Sequence, residues 1–338
     1  MNNSIDSLCN KIYHGDATEV LKTFPDNFID CVVTSPPYWN LRDYSAEGQM
    51  GLEGTFVEYV HKMCNMFDQV KRVLKDSGTV WVNIGDTYYG STKSKTDSDV
   101  DIDTVAEGNE EQYVLRFDDE EDRTNDKKFY NGNRIVLHKK SLCLIPDRFA
   151  IEMLNRGWIL RNRVIWHKPS IMPRPLKDRF PIDFEDVFFF TKEGTYLFEQ
   201  QYEKMVSRVN VNASTKNSKY SGENVQIDSK SMSKYAEKVE QGLVEGRIKR
   251  CVWTINTSSN TSFHVAPYPE ELITPMIKAG CPANGIVLDM FMGSGTTAMV
   301  ALKQGKRFIG IDIDERAVNY ARNCVENYMN QITIFDFI

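Results

Sequence analysis

The chain predicts an α/β fold in which a mostly parallel, twisted sheet is covered by helices on both faces. Three observations carry that expectation. Five short apolar runs, residues 11–14, 28–34, 79–84, 286–290 and 308–311, have the length of buried strands. Helical patterns such as residues 56–74 separate them, and strands alternating with helices imply crossover connections. A glycine turn, Gly293-Ser294-Gly295, follows the fourth run, and glycines there let a backbone approach a ligand closely.

Taken in chain order, the first strand is followed by Gly15-Asp16, and Asp16-Ala17-Thr18-Glu19 has the form of a capping box for the next helix. The second strand ends in Ser35-Pro36-Pro37-Tyr38. Two consecutive prolines fix φ and donate no backbone hydrogen bond, so the chain leaves the sheet stiffly. The Pro36 carbonyl and the Ser35 hydroxyl are then free to point away from the backbone, with Tyr38 as a flat platform beside them. Two acceptors next to an aromatic face suit an exocyclic amino group on a planar base. A proline kink with Tyr38 in the core fits the same residues. The third strand ends at Asp86. After Trp158 comes a short basic segment with Arg161, Arg163, His167, Lys168, Arg174, Lys177 and Arg179, stiffened by Pro169, Pro173 and Pro175. A stiff basic loop suits phosphate contacts, with Arg163, Lys168, Arg174, Lys177 and Arg179 as candidates; a solvated loop is the plain alternative.

The fourth strand, the glycine turn, the helical stretch from Ala298 and the fifth strand closing on Asp312 form a unit that binds an adenosyl cofactor. The helix N-terminus offers free N–H groups to a carboxylate or phosphate. Asp312 stands where ribose hydroxyls can donate to it. No Gly-Lys-Ser/Thr follows, so the turn is not a P-loop. Gly293-x-Gly295-x-x-Ala298 also passes as a nicotinamide fingerprint, which leaves an NAD-dependent oxidoreductase open.

Together, Ser35-Pro36-Pro37-Tyr38 and the residues 285–297 resemble the amino-methyltransferases of DNA, in the order called the beta group, with the catalytic motif first and the cofactor loop near the C-terminus. Gly15-Asp16, residues 78–86, Trp166-His167-Lys168-Pro169, residues 188–192 and residues 263–272 are similar to further blocks of that family. Met290 departs from it, standing where a proline is usual. The resemblance implies a Rossmann-like S-adenosylmethionine-dependent fold and S-adenosyl-L-methionine as cofactor. It places Ser35, Pro36, Pro37 and Tyr38 in catalysis. It assigns Asp16, Asp289, Phe291, Gly293, Ser294, Gly295, Thr296, Asp312 and His264 to the cofactor, although Asp16 as a helix cap is an equal rival. Residues 91–140 and 200–262 fall largely outside it. The second interval, rich in Ser, Asn and Lys, is where the family houses its target-recognition region, and its composition suits groove reading.

Length and charge agree with this division. At 338 residues, 41% apolar and 26% charged, the chain can bury a large core. Expected segments are residues 1–90 as the catalytic half, 91–140 as a polar insertion, 141–199 as a continuation with the basic loop, 200–262 for recognition and 263–338 as the cofactor half. The net charge of −6 conceals an asymmetry, because residues 91–126 hold 13 acids against four bases and the remainder is net positive. No apolar run approaches a membrane span, and the start is no signal peptide. Seven scattered cysteines, with no Cys-x-x-Cys pair, indicate neither zinc nor a disulfide framework and point to a reduced, cytoplasmic setting; the resemblance implies a bacterial or phage source.

The expected reaction is methyl transfer to cytosine N4 in double-stranded DNA after base flipping. Adenine N6 is the near alternative, since serine at the motif favours cytosine by family habit alone. The absence of a Pro-Cys motif argues against carbon methylation of cytosine. A homodimer and a companion restriction endonuclease stay open.

Overall fold

The computed structural model describes residues 5–44, 46–90, 112–114, 136–171, 175–203, 247–257 and 267–335. The strands are β1 Lys11–His14, β2 Ile29–Thr34, β3 Leu74–Ile84, β4 Gln112–Val114, β5 Val136–His138, β6 Ile159–His167, β7 Phe184–Thr191, β8 Tyr202–Glu203, β9 Arg247–Ile248, β10 Val252–Thr254, β11 Ile286–Asp289 and β12 Arg307–Asp312. The helices are α1 Ala17–Lys22, α2 Phe56–Val73, α3 Ile145–Asn155, α4 Glu270–Gly280, α5 Thr296–Lys303 and α6 Glu315–Phe335. The chain divides into two compact units, residues 1–197 with 252–338, and residues 198–251.

The first unit holds a sheet of eight strands in the order β1-β12-β11-β2-β3-β7-β6-β10. All pairings are parallel except those of β7, which runs against both β3 and β6. The central strands β2, β3, β7 and β11 are apolar on both sides, and alternate residues feed separate cores. Val32, Val80, Val82, Phe188 and Phe190 pack with α1, α2 and α3 on one face. Cys31, Val33, Trp81, Val187 and Phe189 pack with α4, α5 and α6 on the other. This is the near-continuous hydrophobic pattern of a sheet buried on both faces. Trp81 and Phe189 stack across the β3–β7 pair with centroids 4.1 Å apart.

The α/β fold and all five expected strands are present. Two expectations change. Arg161, Arg163 and His167 lie on β6 rather than in a loop, because residues 159–167 pair along the whole of β7, with a register shift at Arg161. Residues 252–254, expected in the recognition segment, form β10 of the main sheet, where Trp253 is buried and pairs with Trp166. The second unit contributes the antiparallel pair β8–β9, joined also by Arg247 Nε to Glu203 Oε1 at 2.7 Å. The acidic residues 91–111 and 115–126 lie outside the described residues, as do Arg174 and His264.

Candidate active site

In an open α/β sheet the strand carboxyl ends converge on one edge, where ligands bind. Here that edge carries a cleft of about 340 Å³. Ser35, Pro36, Pro37 and Tyr38 line it after β2, and Asn83 lines it from β3. Phe291, Met292, Gly293, Ser294, Thr296, Asp312 and Asp314 line it from the β11–α5–β12 unit. The two expected motifs, separated by some 250 residues, therefore share one cavity. Because β7 is reversed, its first residues reach the same edge, and Glu185 joins the lining with Trp166 and Lys168 from the end of β6.

The proline turn does what its chemistry suggests. The Pro37 carbonyl accepts from Tyr59 Oη at 2.8 Å, and among the described residues nothing donates to the Pro36 carbonyl. Ser35 Oγ donates to Asn83 Oδ1 at 3.4 Å. Asn83 has no freedom to turn its amide round, since Nδ2 donates to Glu185 Oε2 at 3.1 Å and to the Asp186 carbonyl at 3.2 Å. Its Oδ1 must face Ser35, which gives the hydroxyl proton an acceptor and leaves the Oγ lone pairs available. Tyr38 Oη donates to Glu185 Oε2 at 2.6 Å. Burial, and then the Glu185 charge, push the Tyr38 phenol well above its ordinary pKa, so it remains a donor. A Cβ on Gly85 would come within 2.6 Å of the Tyr38 ring; the glycine leaves the space in which that ring lies.

The other wall combines a tight turn with an acid. Gly293 and Gly295 have φ of 52° and 87°, which glycine adopts at little cost. The Gly293 N–H donates to Asp312 Oδ2 at 2.7 Å, and Asp314 N–H donates to Asp312 Oδ1 at 2.9 Å. Burial raises the Asp312 carboxyl above its ordinary pKa, and those two N–H groups oppose the rise. Each oxygen keeps a lone pair for a further donor, as a ribose diol would supply. Phe291, Met292, Ile313 and Ala317 give apolar cover beside it. A flat ring attached to a diol fits this arrangement.

Two expected cofactor residues are occupied elsewhere. Asp16 caps α1, accepting from the Glu19 N–H at 3.0 Å, while Glu19 turns to Lys22 instead of closing the box. Asp289, 1% exposed, does not line the cleft. Its Oδ1 accepts from Thr34 Oγ1 at 2.7 Å and Phe291 N at 3.0 Å, and its Oδ2 from Tyr268 Oη at 2.9 Å and Thr297 Oγ1 at 2.5 Å. This carboxylate ties β2, β11, α5 and the chain before α4 together. Asp86, at the end of β3, likewise serves structure, accepting from the N–H groups of Thr87, Leu144 and Ile145.

The basic candidates separate as sharply. Arg163 makes a two-pronged contact with buried Asp186 at 2.7 and 3.0 Å, pairs with Asp147 at 2.7 Å and lies over Phe188. It braces the fold and does not fit the phosphate role. Lys168 turns into the cleft against Glu185. Lys177 is exposed, and Arg179 stacks 3.5 Å from the Tyr88 ring centroid. Sequence reasoning missed Asn83, Gly85 and Glu185. The signal for Asn83 was present, as a lone amide interrupting an apolar strand; for Glu185, which opens β7, only its neighbouring acids stood out.

Residues 29–323 match the N6/N4 methyltransferase family, described as DNA methylase. The type II methyltransferase M.XycI of Xanthomonas campestris pv. cyanopsidis is 30% identical over 321 residues, covering 95% of this chain and 89% of that one. M.Cfr9I of Citrobacter freundii is 31% identical over 312 residues, covering 92% and 86%. Among solved structures, the PvuII DNA methyltransferase, cytosine-N4-specific, superposes with a TM-score of 0.57 at 18% identity, covering 95% of this chain and 91% of that one. A Thermus thermophilus protein complexed with S-adenosyl-L-methionine gives a TM-score of 0.51 at 19% identity, covering 94% and 93%.

Proposed function

Since the chain belongs to the N6/N4 family of DNA methylases, whose members use S-adenosyl-L-methionine, we propose that it is a site-specific DNA methyltransferase acting on cytosine N4. The observation that carries the reading is the shared cleft: two acceptors for an amino group, Ser35 Oγ and the Pro36 carbonyl, stand in one cavity with a glycine turn and Asp312. Serine at this position favours cytosine over adenine, and the cytosine-N4-specific PvuII enzyme has the same fold. Adenine N6 is the alternative, because either amino group suits these acceptors.

S-adenosyl-L-methionine, when bound, supplies an activated methyl group, so the residues of this chain mainly bind and orient. Phe291 covers the adenine, Asp312 accepts from the ribose, and Gly293, Ser294, Gly295 and Thr296 leave backbone room and N–H groups for the methionine carboxylate. Asp289 holds that turn in place from behind. On the opposite wall, Ser35 Oγ and the Pro36 carbonyl accept from the two amino protons of the target base. Those bonds favour a pyramidal nitrogen and stabilise positive charge as it develops. Extruding the base costs a few kcal/mol, of which stacking on Tyr38 returns about 1–3 kcal/mol. Lys177 and Arg179 contact backbone phosphates, and residues 198–251 read the target sequence. A companion endonuclease and a cytoplasmic, bacterial setting are part of the proposal, as the type II names and bacterial sources of the relatives suggest.

The test is expression in a host lacking DNA methylation, digestion of its genomic DNA and mass spectrometry of the nucleosides. N4-methylcytosine is expected. N6-methyladenine would keep the cleft and cofactor but overturn the base, and neither product would overturn the activity.

A further inference from the structure

Lys168 stands apart from the other basic residues of its segment. Its side chain is 17% exposed, and it lines the cleft beside Ser35, Tyr38 and Asn83. Three contacts fix it there. Its ammonium pairs with Glu185 Oε1, it lies 4.3 Å from the centroid of the Trp166 ring, and its backbone N–H donates to the Asp183 carbonyl at 2.7 Å. An ammonium carries three N–H donors, and among the described residues Glu185 is the only side chain that accepts from it by a hydrogen bond. The remaining donors belong to a cavity that must recognise a flipped base. The other oxygen of Glu185 accepts from Tyr38 and Asn83, so one carboxylate aims the ammonium, the aromatic platform and the amide that orients Ser35.

We propose that Lys168 reads the ring of the target base, donating to the acceptors beside the amino group, with Glu185 as the residue that positions it. This rests on the assignment of cytosine N4. Cytosine presents two acceptors next to its amino group, N3 and O2. Adenine presents N1, and beyond it a C–H that can accept nothing. A partly desolvated ammonium therefore finds two acceptors on cytosine and one on adenine, and the missing partner for its second donor is how a polar pocket disfavours a near match. Lys177 and Arg179 are assigned to phosphate; Lys168 serves base choice.

The test uses a duplex bearing the enzyme's own site, located by sequencing methylated genomic DNA, and a second duplex in which the target is a 2-aminopyridine C-nucleoside, with C–H in place of the O2 carbonyl. Wild-type enzyme is expected to lose roughly 10- to 100-fold in kcat/KM on the analogue, the value of a hydrogen bond to a charged donor. Lys168→Met is expected to be slow on cytosine and to show almost no further loss on the analogue, while binding S-adenosylhomocysteine as wild type does. Lys168→Arg, which keeps a charged donor, is expected to recover part of the discrimination. Because the altered reactivity of the analogue is common to every enzyme, the comparison isolates the Lys168–O2 contact. Equal discrimination by wild type and Lys168→Met would overturn the proposal, as would a wild type indifferent to the analogue. Should Lys168→Met not fold, Glu185→Gln replaces it, and full discrimination in that variant overturns the positioning role. If wild-type DNA contains N6-methyladenine, the cytosine assignment fails first, and that result is in hand before any variant is made.

Discussion

The wall of the cleft assigned to the cofactor comes from a single stretch, residues 286–317, running through β11, the glycine turn, α5 and β12 to the start of α6. The wall that faces the base is assembled from the ends of four strands: Ser35 after β2, Asn83 on β3, Lys168 after β6 and Glu185 on β7. In the first, neighbours in sequence set the geometry through two positive-φ glycines and short hydrogen bonds. In the second, geometry depends on the reversal of β7, which carries Glu185 to the edge where the parallel strands end. On the proposed reading, cofactor binding is a local property of the chain, whereas the amino-group site is a property of its topology. Even within one wall, position is not role. Asp289 and Asp312 end adjacent strands, yet the first is enclosed by four donors and the second opens to the cleft.

Substitutions that separate these roles rank by expected effect. Asp289→Ala strands three hydroxyls and an N–H in the interior, and should cost about 3 kcal/mol or more in denaturant unfolding. A loss below about 1 kcal/mol would deny Asp289 its structural place. Asp312→Asn should weaken S-adenosylhomocysteine binding by roughly tenfold with little loss of stability. Burial raises the Asp312 carboxyl, so its ionised, accepting form disappears at a higher pH than for an ordinary aspartate. Wild-type affinity should then begin to fall on acidification before an ordinary aspartate would protonate, while Asp312→Asn stays flat; parallel profiles would exclude the ribose contact. Arg163→Met leaves buried Asp186 without its partner and should cost about 1–3 kcal/mol of stability. The smallest change comes from Lys177→Ala, which should alter stability by less than about 0.5 kcal/mol and lower the salt slope of DNA binding by about one. If Arg163→Met instead changed the salt slope and spared stability, the division between bracing and phosphate-contacting cations would be reversed.

How much was legible beforehand follows the same contrast. The five parallel strands, the adenosyl turn and the Ser35 motif each occupy consecutive residues, and each was readable as an apolar run or a dipeptide with defined backbone chemistry. Asp16 could be read two ways; its Oδ1 caps the helix, and its other oxygen leaves the cofactor reading open. The family resemblance assigned Asp289 to the cofactor; only packing shows that Thr34, Tyr268 and Thr297 surround it. Arg163 and Lys168 looked alike in a basic segment, but they lie on and just after β6, and the carboxylates of β7 draw both inward. No local pattern announces an antiparallel neighbour. Glu185, which links both halves of the amino-group site, was therefore out of reach.

The central claim is that one cleft holds two separable functions, and Ser35→Ala tests it most directly. Methylation rate and S-adenosylhomocysteine affinity are measured on the same preparation. Turnover should fall by roughly 100-fold or more, the scale expected for removing a group that stabilises developing charge, while cofactor affinity stays unchanged. Parallel loss of both would mean that Ser35 supports the fold of the cleft instead of accepting from the target base.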